Sequence, residues 1–138
     1  MLSVLIWIYV INLLLLINHE IDSAYWKEWN LFNSLLKNKP PYLTGKEEQK
    51  AMNNFLVFNI IAIGLGLYGL VELIEGNFIG KIFSLLTGLV GIAAFMIHMF
   101  FIAKGRSEFK VPFSLFVLFT ILIASLAQIV VTILVMTE

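Results

Sequence analysis

Residues Leu2–Trp29, LSVLIWIYVINLLLLINHEIDSAYWKEW, pass without a break from an apolar run into a block of charged and aromatic side chains. From Leu2 to Ile17 there is no charge, and only Ser3 and Asn12 are clearly polar. A bilayer core takes ~20 apolar helical residues, so this run spans it only if the helix continues through His19 and Asp22. The aromatic residues support that continuation, because Trp and Tyr favour the water–lipid boundary. Trp7 and Tyr9 stand near one end, with Tyr25, Trp26 and Trp29 at the other. Trp7 to Trp26 covers ~28 Å at the helical rise of 1.5 Å per residue, which places His19 and Asp22 inside the hydrocarbon. Ionisable groups at that depth are costly and mark candidate functional sites.

The rest of the 138-residue chain agrees with a membrane setting. Hydrophobic residues make up 60% of it and the mean hydropathy is +0.94, above the ~45–50% apolar share of soluble domains. Three further apolar segments follow, Phe55–Ile74, Phe78–Ala103 and Phe113–Met136. The expectation is an all-α, polytopic four-helix bundle. It forms a single membrane domain over 1–138, with spans near 2–26, 55–74, 78–103 and 113–136 and a polar loop over 27–54. Nine Lys+Arg balance nine Asp+Glu, so charge points to no nucleic-acid partner, and the lipid bilayer is the partner expected. The absence of cysteine excludes disulfides, thiolate metal ligands and thiol catalysis. The first segment has neither a basic leader nor a small-x-small cleavage site, so it is read as a span and not as a signal peptide.

Of the nine basic residues, eight lie between spans one and two or between spans three and four, leaving Lys81 alone on the opposite side. Basic loops stay in the cytoplasm. Both termini are therefore expected outside, with loops 27–54 and 104–112 inside. Helix one is expected to run on through Leu31–Leu36 until Pro40-Pro41 stops it. Thr44 and Glu47 have capping-box spacing, Glu75-Gly76-Asn77 forms an outer turn, and Pro112 suits a first helical turn.

At 100° per residue, Asn12, His19, Asp22, Ser23, Trp26 and Asn30 share one face of helix one. Glu20 lies a quarter-turn away, Tyr25 flanks the other edge, and Glu28 points nearly opposite. On helix three, Gly80, Ser84, Gly88, Gly91 and His98 form a second stripe, where small residues let helices approach closely. His98 lies ~8 Å and His19 ~10 Å from the inner boundary, counted along their helices, and Asn59 is at a similar level. One polar cluster in the inner leaflet is the expectation. Gln128, with Ser125 and Thr132 on its face, is read as glue between helices. No Walker motif, HExxH or dinucleotide fingerprint is present. Ser23, His19 and Asp22 make a poor triad, since all lie on one helix without oxyanion donors.

Several chemistries fit this cluster. In a metal site, His19 and Asp22 project from one turn at i, i+3 and His98 completes two imidazoles and a carboxylate, with Glu20 as a fourth ligand or base. That donor set suits zinc or non-haem iron. A metal-free histidine–aspartate pair would instead support acid/base chemistry or proton relay on a lipid-like small molecule. In that reading His19, Asp22, Glu20 and His98 are the catalytic candidates, while Asn59, Ser23, Tyr25, Trp26 and Trp29 line the site. Two facing imidazoles would also hold haem. The remaining alternative is a non-enzymatic membrane subunit whose polar cluster fixes helix register.

The block His19–Trp29, HEIDSAYWKEW, following an apolar span, resembles a family of small bacterial four-span membrane proteins of uncharacterised function. More distantly it is similar to the membrane family named for its His-x-x-Glu-Glu motif, although here His19 is followed by Asp22 and Ser23 in place of two glutamates. The resemblance implies a small multi-span architecture and draws attention to His19, Glu20, Asp22, Tyr25, Trp26, Glu28 and Trp29. It implies no reaction.

Overall fold

In a computed structural model of the chain, residues 1–29, 43–105 and 111–138 are described. They form four helices, α1 (Leu2–Tyr25), α2 (Gly45–Ile74), α3 (Phe78–Ala103) and α4 (Pro112–Thr137), with no strand among the described residues. All four are long and apolar enough to cross a membrane, so the expected all-α four-helix architecture is the one observed. Asn30, the continuation through Leu31–Leu36 and the stop at Pro40-Pro41 lie outside the described residues.

Local chemistry accounts for the helix ends. Pro112 opens α4, where its missing N–H and fixed φ cost nothing. Thr44 is the N-cap of α2, yet its side chain makes no capping bond, so the expected capping box is not formed from that side. Glu47 and Glu48 occupy the first turn of α2, where carboxylates complement the helix dipole. The α2–α3 turn reverses at Gly76, φ +76°, with the Gly76 and Asn77 amides donating to Leu73 and Glu72. This is a Schellman cap, and the left-handed position suits glycine because it has no Cβ. Glu72 and Glu75 both accept from the Asn77 side-chain amide. The Lys81 ammonium donates to the Val135 carbonyl in the last turns of α4.

Around the bundle the helices neighbour one another in the order α1, α4, α3, α2, and α1 meets α2 far less extensively than it meets α4. Small residues explain how close the tight pairs come. Gly80 lies against the backbone of Leu73 on α2 and Gly69 against Phe83 on α3, whereas Gly88 and Gly91 lie against Ile129 and Ser125 on α4. Near the Gly76 turn α3 thus packs on α2 through glycine, and its middle packs on α4.

A buried polar layer locks this arrangement. The Asn12 amide on α1 donates to Gln128 Oε1 at 2.7 Å and to Ser125 Oγ at 3.1 Å, both on α4. Gln128 Nε2 donates to the Ser84 carbonyl of α3 at 2.8 Å, and the Ser84 and Thr132 hydroxyls meet at 2.8 Å. Tyr9, expected at the membrane boundary, is instead fully buried: its hydroxyl donates to the Gly66 carbonyl of α2 and accepts from Thr87 of α3. The apolar core around it comprises Leu5, Leu13, Leu73 and Val135. In lipid, polar groups buried between helices must find partners in one another, and this layer supplies them.

These contacts predict a contrast between two glycines. Gly80→Ala places a methyl against the Leu73 backbone, which cannot yield, whereas a Cβ at Gly64 meets nothing. Thermal unfolding in detergent should show a loss of about 1–3 kcal/mol for Gly80→Ala, the usual cost of overpacking, and no loss for Gly64→Ala.

Candidate functional site

The site begins where α1 ends. After Tyr25 the backbone turns at Lys27, φ +56°, with the Lys27 amide donating to the Ala24 carbonyl and the Glu28 amide to the Ser23 carbonyl. This is the same Schellman pattern as at Gly76, here with lysine in the left-handed position. An L-residue there carries a strain of about 1–2 kcal/mol. The Lys27 ammonium also meets Glu48 Oε1 on α2 at 2.8 Å. The reversal carries Glu28 back over the end of the helix and into the bundle, where it is buried.

There Glu28 meets His98 of α3. Its two carboxylate oxygens lie 3.0 and 3.1 Å from His98 Nε2, and His98 Nδ1 lies 2.9 Å from the Ala94 carbonyl. A carbonyl only accepts, so Nδ1 carries a hydrogen and Nε2 is left facing the carboxylate; this tautomer is assigned from the network. An ionised carboxylate also only accepts. The pair is therefore satisfied when a proton, or another cation, stands between Nε2 and the two oxygens. His19 packs edge-on against His98, with ring centroids 4.7 Å apart and planes at 75°. The His19 ring makes no hydrogen bond among the described residues. His19, Glu28 and His98 are all buried, and each offers a ligand atom within 4.8 Å of the others.

These groups lie at the floor of a cavity of about 540 Å³ between the C-terminal half of α1, the N-terminal half of α2 and the C-terminal half of α3. Ser23, Trp29 and Asn59 also line it and are buried; Glu20 lines it and is half-buried. Glu20 and the Asn59 amide interact across the α1–α2 side. Trp29 stacks on Phe55 of α2 at 5.5 Å and packs with Leu43 and Ala51.

The structure therefore brings together His19, His98, Glu20, Asn59, Ser23 and Trp29 of the residues singled out from the sequence. Asp22 is half-buried, stands outside the His19–Glu28–His98 group and does not line the cavity. Tyr25 and Trp26 do not line it either; they are 77% and 40% exposed and stack edge-on against each other. Glu28, placed on the opposite side by continuing the helical rotation, becomes the carboxylate of the group. The rotation rule fails because the helix stops, and no glycine or asparagine marks the stop. In this structure the two imidazoles stand edge-on at 4.7 Å between centroids, closer than two rings that hold a haem iron from opposite faces.

Among known proteins the match is at the level of a family. The chain belongs to DUF6713, a family of unknown function. The DUF6713 match covers residues 5–135 and so includes His19, Glu28, His98 and all four helices. No curated protein and no solved structure matches the chain significantly.

The strained cap gives a direct test. Lys27→Gly relieves about 1–2 kcal/mol of left-handed strain and loses an exposed ion pair worth ~0–1 kcal/mol, so unfolding in detergent should show unchanged or raised stability. Lys27→Val puts a β-branched side chain in the same conformation and should lower stability by about 2 kcal/mol or more.

Proposed function

We propose that the protein is a multi-pass cell-membrane protein that holds one divalent transition-metal ion, zinc or ferrous iron, between His19, Glu28 and His98. The observation that carries this reading is the buried convergence of two imidazoles and a carboxylate on one wall of a cavity. Two histidines and one carboxylate are a common donor set for zinc with an open position and for non-haem iron. Ligands sharing one tetrahedral ion at ~2.0–2.1 Å stand ~3.3 Å apart, so closure from 4.8 Å asks for small side-chain rotations. The Ala94 carbonyl holding His98 Nδ1 is the kind of outer partner that orients a metal-binding imidazole. A bound ion would also supply the positive charge that the His98–Glu28 contact calls for.

In this reading the residues divide the work. His19, Glu28 and His98 hold the ion, which when bound supplies Lewis acidity at a position open to the cavity. Glu20 and Asn59 stand beside that position, Glu20 as the candidate base and Asn59 as its partner. A second reading, a metal-free proton relay through the Glu28–His98 contact, is favoured by the same 3.0 Å approach, since a proton satisfies the pair as a cation does.

Metal analysis separates them. Protein purified without chelator and reloaded with zinc or ferrous iron should hold about one ion per chain, tighter at higher pH because the ligands must shed their protons. Glu28→Gln and His98→Ala should each weaken binding by about tenfold or more, while Asp22→Asn should leave it unchanged, with unfolding curves checking that the variants are folded. Stoichiometric metal unaffected by Glu28→Gln and His98→Ala would sink the site. A metal-free protein in which Glu28→Gln still abolishes function would favour the relay.

The orientation is also part of the proposal, with both termini outside and the basic segments 27–54 and 104–112 in the cytoplasm. Because the chain lacks cysteine, single cysteines report on it cleanly. Asn77→Cys should react with a membrane-impermeant maleimide in intact cells, and Lys46→Cys only after permeabilisation; the reverse pattern would overturn the orientation.

A further inference from the structure

The cavity has two unlike ends. Its floor is polar, with buried Glu28 and Asn59 and half-buried Glu20 as the groups a ligand would meet beside the histidines. Its rim is apolar and open: Phe58 on α2 is 67% exposed, and Val90 and Ile97 on α3 are 57% and 38% exposed. Ala93, between them on α3, is also exposed. In a membrane-spanning bundle, exposed apolar side chains in mid-helix face lipid. The rim is thus a lateral opening between α2 and α3.

Packing explains why the opening lies there. Toward the Gly76 turn, α2 and α3 are clamped by Gly80 on the Leu73 backbone, Gly69 on Phe83 and the Tyr68–Phe83 ring contact at 5.5 Å. Further along, the small residues Gly88 and Gly91 of α3 turn to α4, and the cavity separates α3 from α2. The pair is pinned at one end and parted at the other.

The geometry points to a single-chain membrane amphiphile as the ligand of this cavity, its uncharged hydroxyl or amide head on the floor and its hydrocarbon chain leaving between Phe58 and Val90. The volume falls within the ~300–1,000 Å³ of small-molecule pockets, enough for a head and part of one chain. Among the described residues no Lys or Arg lines the cavity, so in the metal-free site a phosphate head would lie against carboxylates without a countercharge. A head that donates hydrogen bonds finds acceptors in Glu20, Asn59 and Glu28. This inference rests on the membrane reading above and deepens the same site, but it does not require the metal.

The test is photocrosslinking of the full chain in phosphatidylcholine nanodiscs, with mass-spectrometric mapping. A diazirine-bearing long-chain alcohol should label Phe58, Val90 and Ile97, and excess unlabelled long-chain alcohol should lower that labelling about tenfold. Labelling spread equally over Phe116 and Ile123, exposed residues of α4, and insensitive to competitor would overturn the site. Equal labelling of the rim by a diazirine phosphatidylglycerol or fatty-acid probe would overturn the choice of head. Ala93→Trp, which fills the opening, should abolish rim labelling while leaving α4 background unchanged; if it fails to fold, the competition arm on the native chain decides. His98→Ala should lose metal and keep rim labelling, so failure of the metal reading and failure of the ligand reading give different results.

Discussion

Side-chain hydrogen bonds made across helices set the register of this bundle, because lipid offers a buried polar group no alternative partner. Asn12 ties α1 to α4, Gln128 and Thr132 tie α4 to α3, and Tyr9 ties α1 to both α2 and α3. Apolar side chains slide past one another at little cost in a medium as apolar as they are. These bonds do not slide. With the helices fixed at their middles and toward the Gly76 turn, their opposite ends are held at defined separations, and His19 and His98 come into contact.

The same constraint explains the one non-glycine residue with positive φ among the described residues. Lys27 takes a left-handed conformation that glycine adopts at both Gly76 and Gly105. Two contacts of the next residue offset the strain at Lys27: the Glu28 amide caps the Ser23 carbonyl, and the Glu28 carboxylate reaches His98. Lys27 itself reaches Glu48 on α2. This short reversal thereby joins α1, α2 and α3 at the cavity, the region where α1 and α2 otherwise touch little.

Much of this was legible in the residue pattern. Three apolar runs of spanning length, and a shorter first one extended through His19 and Asp22, give four helices, and Pro112 and Gly76 stand at the helix ends where their backbone chemistry suits them. The small-residue stripe of α3 does meet its neighbours, and Gln128 does bond between helices. Equal depth counted from the boundary brought His19 and His98 to one level, and their rings touch. What was not legible depends on where a helix stops and on which neighbour it meets. Extending the rotation past Tyr25 sent Glu28 outward and favoured Asp22. Composition alone made Tyr9 a boundary residue, although a tyrosine whose hydroxyl finds a carbonyl can be buried whole. Separation along the chain also hides that the last turns of α4 lie beside Lys81, whose ammonium reaches the Val135 carbonyl.

The Asn12–Gln128 layer has a further consequence. Asn12, Ser84, Ser125, Gln128 and Thr132 are without solvent exposure or nearly so, as is Tyr9 beside them, and their hydrogen bonds are made to one another and to the backbone. Together they form a bulkhead across the bundle axis, with the cavity on one side and the Gly76 turn on the other. Anything that reaches the histidines does so from the α1 C-terminal side or sideways through the membrane. On the proposed reading the chamber is a blind alley, and a ligand would leave by the door through which it entered.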